Sequence, residues 1–246
     1  MISNSVRAPK LVVAHRGYHA KSHENTLEAM RDAIDLGADM VEFDVRRCAD
    51  GELIVHHDES IQGKLLAAMS YDEVVHASFE RGYRVPRLTE LLQLTSGRIG
   101  LDIELKEAGH EERVLQLIFD CFHDNNFLIT SFDAAALSAV RNLNSGIRLG
   151  LLTSDVSGEK AIELFQEAEA DFLAPESICL GESMFQEANR RAIRLLPWTV
   201  DDRTLVQRCL REDSVFGVIT DFPDQALKVR NLEAGIAPGQ TEFQKS

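Results

Sequence analysis

LVVAHRGYHAKSHENTLEAM, residues 11–30, opens with four apolar residues, closes on an amphipathic run, and gathers His15, Arg16, His19, Lys21 and His23 between them. A short apolar strand that feeds a helix through a polar turn is one βα unit. The same unit recurs along the chain. Its strands are expected at LVVA (11–14), MVEFDV (40–45), IGLDIEL (99–105), FLITSF (127–132), IRLGLLT (147–153), DFLAP (171–175), RLLPWTV (194–200) and FGVITD (216–221). Between them, HEERVLQLIFDCFHDNN, DAAALSAVRNLN, GEKAIELFQEAEA, GESMFQEANRRA and DDRTLVQRCLRED repeat apolar residues at three and four, the helical period. Eight strands alternating with helices in 246 residues predict an α/β, single-domain (β/α)8 TIM barrel. An open doubly wound sheet of the dinucleotide-binding kind needs a G-x-G-x-x-G turn after a strand, and none is present. After the second strand, DGELIVHHD predicts a DG turn and a further extended segment, a short insertion that returns His57 to the barrel mouth.

No linker divides the chain, so residues 1–246 are expected to form one domain, with 1–9 and 235–246 as peripheral tails. No apolar run reaches the roughly 18 residues of a membrane span, and Met1–Lys10 lacks the apolar core of a secretory signal. A soluble, cytoplasmic protein is the expectation. Cys48, Cys121, Cys179 and Cys209 lie far apart without a C-x-x-C pair, which suits separate reduced thiols. The net charge of −14 argues against a nucleic-acid partner, since phosphate backbones are bound through an excess of Lys and Arg. In so acidic a chain, a cluster of cations at one strand end suggests a held anion.

Barrel enzymes set their reacting groups at the carboxyl ends of the strands. The first strand ends in His15 and Arg16. The second carries Glu42 and Asp44 one residue apart, on one face by the two-residue period; the third carries Glu104 and Lys106 in the same relation. These acids could pair with Arg16, Arg46, Arg47 and Lys106 in a structural ion network. Three carboxylates converging on apolar strands favour instead a bound cation, because buried charge is costly unless paired. Oxygen ligands favour one divalent hard ion, Mg²⁺ or Ca²⁺. The carboxylates with Arg16 and Lys106 sum to −1, and a divalent ion makes the total +1, which suits a phosphodiester monoanion. His15 and His57 bracket the cluster as candidates for general acid and base. His56 should point the opposite way, into packing or solvent, and His19 and His23 are expected at the surface. Asn25 with Glu28 reads as a helix-capping box. Trp198 and Phe132, at strand ends, fit core packing and the lining of a leaving-group pocket equally well, and Trp198 is taken as a substrate-binding candidate. The acidic loops VDDR and TDFPD do not look like a phosphate cradle, so the phosphate is expected near strands one to three.

H-R-G (15–17), E-N-T (24–26), E-x-D (42–44), D-G (50–51), H-D (57–58), P-x-L-x-E-L (86–91), I-E-L-K (103–106), S-F (131–132), W-T-V (198–200) and I-T-D-x-P (219–223) resemble, in order and over nearly the whole chain, the glycerophosphodiester phosphodiesterase family. The resemblance implies a TIM barrel that uses a divalent metal to hydrolyse a small-molecule phosphodiester into an alcohol and glycerol 3-phosphate, a reaction of glycerol and lipid metabolism. By motif it assigns His15 and His57 as the acid/base pair, Glu42, Asp44 and Glu104 as metal ligands, and Arg16 and Lys106 as phosphate contacts. The chain departs from the pattern in the short spacing from His57 to Pro86, in ESIQGKL after H-D, in Asp201 and in His23. Two rivals follow from the same residues: a phospholipase D toxin-like lyase that stops at a cyclic phosphate, and a non-catalytic barrel that binds a phosphorylated ligand.

Overall fold

The computed structural model describes residues 9–155 and 159–233. The expected tails, Pro9 apart, and Gly158 of the expected helix GEKAIELFQEAEA lie outside the described residues. Eight parallel strands form an all but closed barrel: β1 (Leu11–Ala14), β2 (Met40–Arg47), β6 (Gly100–Leu105), β7 (Phe127–Ser131), β8 (Arg148–Thr153), β9 (Phe172–Pro175), β10 (Arg194–Leu195) and β11 (Gly217–Thr220). The helices α1 (Leu27–Leu36), α3 (Leu88–Thr95), α4 (Glu111–Cys121), α5 (Ala134–Leu143), α6 (Glu159–Glu167), α7 (Glu182–Arg191), α8 (Arg203–Arg211) and α9 (Pro223–Glu233) follow the strands in turn. The first and last strands meet, with Ala14 opposite Thr220, and a parallel bridge between Leu195 and Val215 brings β10 to the other side of β11.

Strand seven is shorter than the sequence pattern predicts. Pro197 interrupts RLLPWTV because it has no N–H for the ladder. The chain still follows the barrel wall beyond it: Trp198 N–H donates to Pro175 O at 3.0 Å and Val200 N–H to Ile219 O at 2.9 Å.

Alternation along the strands sorts their side chains. Val12, Ala14, Val41, Phe43, Ile103 and Leu105 join the core shared with the helices. The opposite parity, Val13, Met40, Leu128, Leu152, Phe172 and Ile219, packs as a separate cluster inside the barrel. Phe172 takes so much of that interior that a Cβ on Gly150 would lie 2.2 Å from its ring, so only glycine fits beside it. Glu42, Asp44, Asp102 and Glu104 share the inward parity, which is why strands of ordinary apolar character present acids to the barrel mouth.

The insertion is larger than one extended segment. β3 (Leu53–Val55) pairs antiparallel with β2, as expected, and is followed by the hairpin of β4 (Ser60–Ile61) and β5 (Lys64–Leu65), then α2 (Tyr71–Phe79). Ile54, Ile61, Leu66, Met69, Tyr71, Val74, Tyr83 and Val85 give this unit a small core of its own. A capping box fixes the start of α2: Ser70 Oγ accepts from Glu73 N–H, and the Glu73 carboxylate accepts from Ser70 N–H.

Candidate active site

One oxygen from each of Glu42, Asp44 and Glu104 lies within 4.8 Å of the others, and all three residues are buried. Strand register makes this convergence: β2 and β6 run parallel with Asp44 opposite Glu104 and Glu42 opposite Asp102. Lys106 Nζ donates to Glu104 Oε1 at 2.7 Å and stands 3.1 Å from Asp44 Oδ1. Arg16 enters from the β1–α1 turn. Its N–H donates to Glu42 Oε2 at 2.8 Å, its Nε stands 3.4 Å from Asp44 Oδ2, and its Nη1 donates to Glu24 Oε1 at 2.8 Å. Gly17 permits this turn, since its φ is +82° and a Cβ there would lie 2.8 Å from the Ala29 backbone. His15, Arg16, Glu42, His57, Glu104, Lys106, Phe132 and Trp198 line a common cleft. All eight substrate, metal and catalytic positions read from the sequence therefore come together, with Asp44 held just behind.

Asn25 overturns its reading as a helix cap. The N-cap of α1 is Thr26, whose hydroxyl accepts from Ala29 N–H at 3.3 Å. Asn25 sits one residue earlier in the left-handed region (φ 57°), buried, where its Nδ2 donates to Asp44 Oδ2 at 2.6 Å and its Oδ1 accepts from Asp44 N–H at 3.3 Å. It positions a carboxylate of the cluster. His19, expected at the surface, instead shares Asp221 Oδ1 with His15, at 3.3 and 2.7 Å. His56 packs, as expected for one outcome of its alternation, and burial pushes its imidazole down to about 4. Asp221 and Asp102 carry no assignment from the sequence. Barrel closure puts Asp221, one residue past β11, beside His15, one residue past β1; Asp102 shares the inward parity of Glu104 in LDIEL.

The electrostatics of the cluster suit a bound cation. Burial, then the charges of Asp44, Glu104 and Asp102, raise Glu42 well above the usual carboxylate range. Burial and Asp44 push Glu104 up to about 7, and burial does the same to Asp102. Burial also opposes ionisation of Asp44, yet Lys106, Arg16 and the Asn25 hydrogen bond outweigh it and hold that group low. Glu42 Oε1 is buried without a hydrogen-bond partner. Three acids whose neutral form is favoured by burial, and an orphaned carboxylate oxygen among them, suit a hard divalent ion.

A consequence can be measured by thermal melting. A carboxyl group that holds its proton to about pH 7 when folded, against about 4.3 unfolded, makes the folded state bind more protons, so metal-free stability falls as pH rises through that window. Asp221, held low despite its burial by bonds to His15 and His19, acts only in more acidic solution. Mg²⁺ or Ca²⁺ should therefore raise the melting temperature more at pH 8 than at pH 6, where protons occupy the site. An equal rise at both would contradict this account of the cluster.

The sequence model of the glycerophosphoryl diester phosphodiesterase family matches residues 15–225. A glycerophosphodiester phosphodiesterase of Bacillus altitudinis is 31% identical over 244 residues, which cover 89% of this chain and 97% of that one. The crystal structure of a glycerophosphodiester phosphodiesterase from Parabacteroides distasonis superposes with a TM-score of 0.79 at 25% identity, covering 92% of this chain and 100% of the other. That of an Oleispira antarctica phosphodiesterase, in complex with the product sn-glycerol-3-phosphate, superposes at 0.80 with 21% identity, over 90% of this chain and 96% of its own. With the barrel, the acidic cluster and the ordered motifs in agreement with these likenesses, the chain belongs to the glycerophosphoryl diester phosphodiesterase family, a family of phosphoric diester hydrolases.

Proposed function

We propose that the protein hydrolyses a glycerophosphodiester to an alcohol and sn-glycerol 3-phosphate, with one Mg²⁺ or Ca²⁺ held by Glu42, Asp44 and Glu104 and with His15 and His57 as general acid and base. The observation that carries the reading is that Glu42, Glu104, Arg16, Lys106, His15 and His57 line a single cleft at the barrel mouth, with an Asp44 oxygen within 4.8 Å of the two glutamates. An ion held there would supply Lewis-acid polarisation of the phosphoryl oxygens. Arg16 and Lys106 add positive charge where the phosphate sits.

Each histidine is anchored through one ring nitrogen. His15 Nδ1 lies 2.7 Å from Asp221 Oδ1, and His57 Nδ1 lies 2.8 Å from Asp58 Oδ1. Nε2 is left in both rings to exchange a proton with the attacking or the departing oxygen. His15 Nε2, 3.9 Å from Glu42 Oε2, is already at the acidic cluster. Trp198, fixed by its Nε1–H bond to Ala174 O at 2.9 Å, meets Phe132 edge to face at 5.5 Å. Together they offer an apolar wall to the carbon skeleton of the glycerol arm. This differs from the leaving-group role expected of them from their strand-end positions.

Among the described residues no helix is long and apolar enough to cross a membrane, and all four cysteines are free. We read the protein as acting in the cytoplasm, in glycerol and lipid metabolism, and its net charge of −14 favours a small diester over a nucleic acid as substrate. The test is a panel of glycerophosphodiesters assayed after chelation and again with each metal, with products followed by phosphorus NMR. Metal-restored release of glycerol 3-phosphate is expected. A persistent cyclic phosphate would assign a lyase, and no turnover of any member would leave a binding barrel.

A further inference from the structure

Beside the cleft lies a second and larger cavity, about 330 Å³ against about 50 Å³, and His57 borders both. The β1–α1 turn forms one wall with Ser22, His23 and Glu24. The chain after β3, running into the insertion, forms the other with His56, Arg81 and Tyr83. Three of these side chains each keep a buried polar atom with no hydrogen-bond partner: Ser22 Oγ, His56 Nε2 and Tyr83 Oη. Tyr83 and His56 are only 8% and 6% exposed. Buried polar atoms are ordinarily satisfied, so three around one cavity ask for hydroxyl groups from outside the chain.

The charges here are arranged against a cationic guest. Glu24 is balanced by the Arg16 guanidinium and Asp58 is engaged by His57 Nδ1, each at 2.8 Å, so each carboxylate already has a partner within the chain. Tyr83 is stacked by the His23 ring at 3.6 Å and approached by the Arg81 guanidinium at 5.8 Å from its centroid. Arg81 has no ion pair among the described residues, and an aromatic ring beside a fixed cation is a poor seat for a second one. Size separates the two arms of a diester. The narrow cleft with its apolar wall admits a three-carbon arm, and the wider polar cavity admits a larger group.

We propose that this cavity, between the β1–α1 turn and the insertion, is the subsite for the departing alcohol, and that it takes an uncharged, polyhydroxylated head group in preference to a quaternary ammonium one. The proposal rests on the hydrolase reading above and names the substrate class of that site.

The test compares kcat/KM for glycerophosphoinositol and glycerophosphocholine, using the full chain with saturating metal. The unaltered protein should favour the inositol ester. Ser22→Ala and Tyr83→Phe remove a hydroxyl each without adding bulk; combined, they should lower the inositol-to-choline ratio about tenfold, mainly through KM for the inositol ester. Arg81→Ala should lower the same ratio by improving the choline ester. A preference for the choline ester in the unaltered protein, or a ratio that the double substitution leaves unmoved, would overturn the subsite while the hydrolase reading stands. Turnover of neither ester, nor of any other glycerophosphodiester, would remove both.

Discussion

Alanine at His15 or at His57 should lower turnover of a glycerophosphodiester by about a hundred-fold or more, the usual cost of losing a positioned general acid or base. The expectation comes from how the two rings are held. Each gives one nitrogen to a carboxylate, Asp221 or Asp58, and each borders the cleft where Arg16 and Lys106 face the acidic cluster. Neither histidine belongs to the cluster itself, so the metal-dependent rise in melting temperature should survive both substitutions. That second measurement separates lost proton transfer from a collapsed site. Asp221→Asn should cost less than His15→Ala, because Asp221 positions the ring and does not reach the cleft. Full turnover in both alanine variants would take the histidines out of the mechanism.

The residues legible in the sequence share one property: each lies on a strand, or within three residues of its end, close enough for the strand pattern to place it at the barrel mouth. Glu42, Asp44 and Glu104 could be turned inward on the two-residue period alone, and His15 and Arg16 follow directly from β1. Asn25 was not legible, because E-N-T fits a helix start equally well; only the left-handed backbone at Asn25 passes the capping duty to Thr26 and frees the amide for Asp44. The Asp221 contact depends on closure, a relation between residues 206 positions apart that local pattern does not carry. The insertion was underestimated for a similar reason. Its strands of two and three residues are too short to show a period, and its helix packs on Ile54 and Ile61 rather than on the barrel wall.

Glu42→Gln and Glu104→Gln should each abolish most activity and yet stabilise the metal-free protein. Glutamine keeps nearly the same shape, and at Glu42 it keeps an acceptor for the Arg16 N–H, but it removes a charge that burial and neighbouring acids oppose. Above pH 7 the metal-free fold no longer carries that repulsion, so the melting temperature at pH 8 should rise by several degrees. Turnover should fall by about a thousand-fold, since Lewis-acid polarisation supplies several kcal/mol of transition-state stabilisation and each 1.36 kcal/mol is tenfold in rate. A chelator acting on the unaltered protein should reproduce the loss of rate. Asp44→Asn should behave in the opposite sense for stability, because Asp44 is the acid that Lys106, Arg16 and Asn25 hold ionised, and its loss leaves Lys106 with Glu104 and Arg16 with Glu24 as their remaining carboxylate side-chain contacts. A structural ion network would make all three substitutions destabilising. The contrast between glutamates whose neutralisation stabilises and an aspartate whose neutralisation does not is therefore what distinguishes a cation site from a set of salt bridges, and a fall in melting temperature for all three variants would decide for the salt bridges.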